Sequence, residues 1–185
     1  MANTQNLKDG PAIEKLREII GHNAICMFHT VMGKLPEACP MMIQEVDDDG
    51  NLWFLSNRLS EKNARIRKNP CAMITVGDNS HSEYLWLQGD VTISDDLEKK
   101  RALFTLLAKA WFPDGAEDKE LTLLCLRPTE AKYWDTTDGK VAQMLKITGV
   151  AITGNMKNTG SVHGQLDVTS TSELSSDGEY PQTRS

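Results

Sequence analysis

The sequence predicts a mainly β protein, an antiparallel sheet or barrel with flanking helices. Short apolar runs dominate the 185-residue chain, several of them follow one another through hairpin signals, and single helical segments interrupt them. The chain contains no internal repeat. Its length indicates one domain, which we assign to residues 1–154, followed by a polar tail at residues 155–185.

The first part of this domain combines one helix with a strand hairpin. A helix is predicted over residues 9–22, because Pro11 suits a first turn and four Ile and Leu side chains share one face. The segment "DDDGN" predicts a tight hairpin turn with Gly50 at its bend. The strands predicted here span residues 24–31, 39–46 and 52–56.

The second part alternates helices and longer strands. Ser60 is a suitable cap for a short helix that must end before Pro70. An amphipathic helix is predicted over residues 95–112, and a last helix over residues 139–153. The strands predicted here span residues 71–77, 83–94 and 121–134, the last with a break at Pro128.

The segment from Asn155 onward is rich in Ser, Thr, Gly and Asp and has few large apolar residues. Such a composition buries too little apolar surface to compensate for the entropy of ordering, so we expect a disordered tail. Its removal is then expected to leave stability nearly unchanged.

Composition and missing motifs exclude several classes of function. The formal net charge of −6 argues against a nucleic-acid partner. The four cysteines form no C-x-x-C pair and the histidines have no metal-binding spacing, so no metal site is expected. Walker A, G-x-G-x-x-G and G-x-S-x-G motifs are absent. Without a signal peptide or a membrane-spanning run, we expect a soluble cytoplasmic protein.

A cluster of donors and positive charge follows the strand at residues 52–56. Hydroxyl and amide groups, two cationic side chains and the start of a helix would together suit a phosphate monoester. The spacing of these residues also fits a simpler interpretation, in which Ser60 is only a helix cap and the basic residues form a solvated helix face. Spacing alone favours this interpretation over the phosphate site. The residues of this cluster are Ser56, Asn57, Arg58, Ser60 and Lys62.

The segment "KAWFPDG" places Trp111 and Phe112 just before a loop that contains Pro and Gly. Bulky aromatic side chains at such a position form either a packing cap or a wall against a flat ligand. The sequence alone leaves both interpretations open.

The order "PMMIQEVDDDGNLWFLSN", "SEK" leading a short helix to "NP", "KAWFPDG" and "LTLLCLRPTEAKYWD" resembles the pyridoxamine 5'-phosphate oxidase-like flavoproteins, and most closely their general stress protein 26 branch. The resemblance covers about residues 10–154. It implies an antiparallel split β-barrel that forms a homodimer and holds FMN in a cleft between the subunits.

The resemblance also implies roles for individual residues. Ser60 and Lys62 match the residues that bind the ribityl phosphate, and Arg58 is a candidate for a second positive charge there. Two strands match those beside the isoalloxazine ring, and two tryptophans fall near the cleft. These further candidates are Pro40, Met41, Met42 and Ile43 on one strand, Phe54, Leu55 and Ser56 on the next, and Trp111 and Trp134.

Three departures from the oxidase pattern limit the function. The Arg that starts the ring-side strand is missing near Cys39, and Glu61 stands where the oxidase has an Arg beside the phosphate lysine. The oxidase's C-terminal Arg-x-His segment is also missing. These differences argue against oxidation of pyridoxamine phosphate and leave open another cofactor, such as a deazaflavin or haem.

Three functional hypotheses therefore follow from the sequence. The first is an FMN-dependent oxidoreductase that acts on a small-molecule redox substrate, with the chemistry carried by the flavin. The second is a flavin-binding sensor or store without turnover. The third is a cofactor-free dimeric barrel, against which the cluster at Ser60 and Lys62 argues.

Overall fold

In the computed structural model, six antiparallel strands close into a barrel, which confirms the predicted fold class. The structure describes residues 3–4, 6–22, 24–32, 35–136 and 161–167. The strands are β1 (Asn3–Thr4), β2 (Leu7–Lys8), β3 (Ile25–Met32), β4 (Leu35–Val46), β5 (Leu52–Asn57), β6 (Cys71–Asp78), β7 (Glu83–Ser94), β8 (Leu121–Thr136) and β9 (Ser161–Asp167). The helices are α1 (Asp9–His22), α2 (Glu61–Ile66) and α3 (Leu97–Leu103), with 3-10 helices at Leu106–Ala110 and Gly115–Glu117.

The barrel runs in the order β8-β5-β4-β3-β6-β7, and pairing of β7 with β8 closes it. Its strands alternate inward and outward side chains, as the buried–half-buried pattern of β5 shows. The rings of Phe28 and Phe54 meet edge to face inside, with centroids 5.2 Å apart. No helix among the described residues has the length and apolar character needed to cross a membrane.

The predicted hairpin between β4 and β5 is confirmed. The carboxylate of Asp47 accepts hydrogen bonds from the backbone N–H groups of Asp49 and Asn51, and Gly50 adopts a φ of 78°. Strand β4 begins earlier than predicted, because its residues from Leu35 onward pair with β3. The turn brings the end of β5 beside the middle of β4.

The predicted helix at residues 95–112 is wrong in its second half. Helix α3 ends at Leu103, because the backbone of Phe104 is extended, and the chain continues as the 3-10 helix Leu106–Ala110. The bend lets Ala108 and Phe112 pack against Leu121 in a second small apolar cluster. Burial of these side chains against β8 therefore takes precedence over continuous helix.

The prediction of a disordered tail is wrong for residues 161–167, which form β9. This strand pairs antiparallel with the last residues of β8 and parallel with β1 and β2. Its Leu166 is 3% exposed and joins the barrel core, with Leu7 packed against it. Burial of Leu166, together with pairing of β9 along the edge of β8, stabilises this segment despite its polar composition. The predicted helix at residues 139–153 lies outside the described residues, and the boundary at residue 154 stays a prediction.

Candidate functional site

A cavity of about 730 Å³ lies between strand β4, the end of β5 and the segment 105–112. Strand β4 supplies one wall through Pro40, Met41, Met42 and Gln44. Its pairing with β5 shifts register between Ile43 and Glu45, a bulge in the strand beside this wall. The wall is largely apolar and is built on a rigid barrel strand.

The opposite wall comes from the segment that follows α3. Leu107, Ala108, Trp111 and Phe112 line the cavity there. Leu107 is 66% exposed and Trp111 is 73% exposed in the single chain. Large apolar side chains that stay this open beside a concave surface indicate a face that a ligand or a partner covers.

The polar end of the cavity lies where β5 ends and α2 begins. Ser56, Asn57, Ser60 and Lys62 line it. Ser60 is the N-cap of α2, and its hydroxyl oxygen accepts a 3.2 Å hydrogen bond from the backbone N–H of Asn63. The predicted helix cap is therefore confirmed, and the cap residue also faces the cavity.

Lys62 has an unusual position for a lysine. It is half-buried, and its ammonium group makes no hydrogen bond or ion pair with any residue that the structure describes. Burial lowers the pKa of Lys62 below its ordinary value, and the nearby Cys39 thiol opposes this shift. An anion at this end of the cavity would supply the missing partner.

A smaller cavity of about 210 Å³ adjoins the polar end, and Ser60 and Lys62 line both cavities. Two side chains that line the smaller cavity, Arg65 and Glu37, form an ion pair with each other. Among the described residues that line the two cavities, Lys62 is therefore the cation without a carboxylate partner.

A buried amide network supports the polar end. Asn63 is 0% exposed, and its Oδ1 accepts hydrogen bonds from Ser56 Oγ at 2.7 Å and Ser60 Oγ at 3.2 Å. Its Nδ2 donates to Thr122 Oγ1 on β8 at 3.1 Å. Asn63 was not among the predicted site residues, and its position three residues after the Ser60 cap is the local signal for it in the sequence.

The structure brings eight of the twelve predicted site residues to the larger cavity and places four elsewhere. Ile43 and Phe54 point into the barrel core. The guanidinium of Arg58 forms two hydrogen bonds with Asp95, at 2.9 and 2.5 Å, away from the cavity. Trp134 lies on β8 between Tyr84 and His163 of the neighbouring strands. The eight at the cavity are Pro40, Met41, Met42, Leu55, Ser56, Ser60, Lys62 and Trp111.

The position of Arg58 removes the main reason to assign it to a phosphate. Its charge is already balanced by Asp95, and its Nε donates to the backbone carbonyl of Lys119. Seven further residues line the cavity; of these, the sequence had indicated only Asn57, in the polar cluster, and Phe112, beside Trp111. The seven are Ile25, Gln44, Asn57, Thr105, Leu107, Ala108 and Phe112.

The cysteines are all free in the structure. Burial raises the pKa of Cys26 to about 12 and that of Cys125 to about 11, so both are inert thiols at neutral pH. Within the described ranges, no three His, Cys, Asp or Glu side chains are grouped to hold a metal ion.

Comparison with known proteins links this chain to a family. A family model described as pyridoxamine 5'-phosphate oxidase like matches residues 11–158. General stress protein 26 from Bacillus anthracis str. Sterne is 25% identical, with a TM-score of 0.60 over 65% of this chain and 92% of that chain. A protein assigned as general stress protein 26 from Jannaschia sp. CCS1 is 23% identical, with a TM-score of 0.69 over 86% of this chain and 99% of that chain.

A third solved structure is the general stress FMN/FAD binding protein from Xanthomonas citri. It is 21% identical, with a TM-score of 0.59 over 67% of this chain and 88% of that chain. No match to a curated protein sequence was found.

Proposed function

The chain belongs to the pyridoxamine 5'-phosphate oxidase-like family, and we propose that it binds FMN in the larger cavity and acts as an FMN-dependent oxidoreductase. The observation that carries this proposal is the half-buried Lys62, which has no ion-pair partner among the described residues and lies beside the Ser60 hydroxyl, at the polar end of an otherwise largely apolar cavity. The ribityl phosphate would lie at Ser60 and Lys62. The isoalloxazine ring would lie between β4 and Trp111.

The dimensions and chemistry of the cavity suit such a ligand. Its volume of about 730 Å³ falls within the range of roughly 300–1,000 Å³ that is usual for small-molecule and cofactor sites. The Met41, Met42 and Trp111 side chains offer apolar surface to a flat ring, and Gln44 offers a polar side chain on the same wall. A phosphate dianion would give the Lys62 ammonium a partner and compensate for its partial burial.

The reaction class follows from the titratable groups. Among the described residues that line the larger cavity, Lys62 is the one titratable side chain, and its proposed role is phosphate binding. No acid–base pair is present there to drive hydrolysis or group transfer. Bound FMN would supply two-electron redox chemistry, while the chain binds and orients it and excludes water from one face.

A second candidate function is a flavin sensor or store without turnover. Few polar side chains in the cavity remain to recognise a substrate once Ser60 and Lys62 are used, which favours this candidate. Both functions fit a stress-related cytoplasmic protein whose thiols stay free. Oxidation of NADH or NADPH by the flavin-loaded protein would separate them.

We also propose that the protein is a homodimer whose second copy covers the open side of the cavity. The support is the group of exposed apolar side chains at its rim: Ile25 at 53%, Met42 at 37%, Leu107 at 66% and Trp111 at 73%. Exposed apolar patches of this kind mark interaction surfaces. Analytical ultracentrifugation of the purified protein tests this proposal, and a monomer at micromolar concentration would contradict it.

The first experiment on the cofactor is a visible absorption spectrum of the purified protein, before and after addition of FMN and desalting. We expect a retained flavin spectrum, and loss of retention in Lys62→Met, which removes the charge and keeps the apolar stem. Arg58→Met is the matched control, because Arg58 is paired with Asp95 outside the cavity. A haem spectrum, or a protein that releases all added FMN, would contradict the proposal.

A further inference from the structure

Asn63 lies behind the proposed phosphate position and contacts it only through other residues. Its side chain is completely buried, and its hydrogen bonds connect β5, α2 and β8. Lys62 and Ser60 line the cavity, whereas Asn63 does not. Any influence of Asn63 on a ligand must therefore pass through its neighbours.

Without a ligand, the Ser60 hydroxyl already donates one hydrogen bond and accepts another within the protein. The Ser60 hydroxyl oxygen accepts from the Asn63 backbone N–H, and its hydrogen is donated to Asn63 Oδ1, both at 3.2 Å. To bind a phosphate oxygen, Ser60 must turn that hydrogen away from Oδ1 and toward the cavity. The backbone N–H bond would hold the hydroxyl oxygen in place while the hydrogen turns.

Ser56 lowers the free-energy cost of rotating the Ser60 hydroxyl toward the cavity. Its hydroxyl donates to the same Oδ1 atom at 2.7 Å, a shorter contact than that of Ser60. When Ser60 turns to a ligand, the buried Oδ1 keeps one donor and does not become an unsatisfied acceptor. Without Ser56, release of Ser60 would leave Oδ1 unpaired.

Thr122 contacts the end of the amide that faces away from the two serines. Asn63 Nδ2 donates to Thr122 Oγ1, and Thr122 is itself 0% exposed on β8. An amide in the opposite orientation would direct its NH₂ group at Ser56 and Ser60, and their hydroxyls could no longer donate to it. In the observed orientation the amide links the two serines to the barrel strand β8.

We infer that Asn63 is a positioning residue for phosphate binding: it holds the Ser60 hydroxyl as a donor that can be released to the ligand, with Ser56 as the donor that replaces it. This inference rests on the proposed FMN site. It assigns to this chain a control of phosphate affinity by Asn63, a residue that lines neither cavity.

The test compares FMN with riboflavin, which has the same ring and ribityl chain but no phosphate. Dissociation constants for both are measured by flavin fluorescence with wild-type protein, Asn63→Leu and the milder Ser56→Ala. We expect the preference for FMN to fall roughly tenfold or more in Asn63→Leu, with riboflavin affinity unchanged in that variant, and roughly three- to tenfold in Ser56→Ala. Leu87→Ala is the control, since it destabilises the barrel core without touching Ser60; its preference for FMN should match wild type.

A double-mutant cycle shows whether Asn63 acts through Ser60. In a Ser60→Ala background, Asn63→Leu should cause no further loss of the preference for FMN. A further loss in the double variant would overturn the inference. If the wild type favours FMN, an unchanged preference in both single variants would also overturn it. Either result leaves the proposed function standing. A wild type that binds FMN and riboflavin equally, or neither, would overturn the phosphate site itself and the inference with it.

Discussion

The Nζ atom of Lys15 in helix α1 lies 2.7 Å from Oδ2 of Asp135, near the end of strand β8. The same ammonium lies 3.6 Å from the buried carboxylate of Glu83 on β7, so one side chain joins the helix to both strands that close the barrel. Asp135 also pairs with Val162 of β9. The helix, the closing strands and the C-terminal strand are therefore stabilised at one place.

The first prediction concerns this C-terminal strand. A chain that ends after Gly154 lacks β9, whose Leu166 is buried in the core. We expect its free energy of unfolding to fall, and Leu166→Ala alone to cost about 2–5 kcal/mol. Thermal and urea unfolding measure both. The matched control ends at Asp167 and keeps β9; equal stability of the two truncated chains would contradict the role of this strand.

The second prediction is a loss of FMN affinity at alkaline pH. Burial holds the pKa of Lys62 below its ordinary value in the free protein, and a bound phosphate dianion favours the protonated form. Binding is therefore tight below the pKa of Lys62 and weakens as pH rises through it. The phosphate of FMN is already a dianion above about pH 7, so its own titration does not interfere.

Titrations of FMN at increasing pH above neutrality measure this loss, with riboflavin as the ligand that lacks the phosphate. In Lys62→Arg the positive charge persists, because arginine stays protonated, and the affinity should no longer fall. In Lys62→Met binding should be weak and independent of pH in this range. A decline of equal size in wild type and Lys62→Met would assign the titration to another group.

The features that the sequence predicted correctly depend on neighbours in the chain. The Ser60 cap and the Gly50 turn each follow from residues within three or four positions. The features it missed depend on distant pairs. Arg58 is bound by Asp95, 37 positions away, and Asn63 donates a hydrogen bond to Thr122, 59 positions away. Local patterns carry no information about which partner closes such a contact.

The third prediction separates the two candidate tryptophans. Trp111 lines the cavity and is 73% exposed in the single chain, so Trp111→Leu should leave the packing within the chain nearly unchanged. Loss of an aromatic contact with the ring should weaken FMN and riboflavin alike, roughly three- to tenfold. Trp134→Leu is the control, because Trp134 lies on β8 outside the cavity. Weaker flavin binding in Trp134→Leu alone would place the ring elsewhere, in a site completed by the partner subunit.

The fourth prediction concerns the seam that closes the barrel. Gly89 on β7 lies opposite Pro128, where the pairing with β8 shifts register and Thr129 is the extra residue. A Cβ at Gly89 would collide with the carbonyl group of Arg127 and lie 3.0 Å from Cα of Pro128. Backbone atoms cannot move aside as a flexible side chain can, so Gly89→Ala should cost about 1–3 kcal/mol.

Urea unfolding of Gly89→Ala measures this cost, and Gly77→Ala is the matched control. A Cβ at Gly77 would lie 3.4 Å from the Tyr84 ring, which is ordinary contact with a side chain, so that variant should be as stable as wild type. FMN affinity should be unchanged in both variants, because neither glycine lines the cavity. Equal stability of the two variants would mean that β7 and β8 separate at the bulge without cost, contrary to a closed barrel held together at this seam.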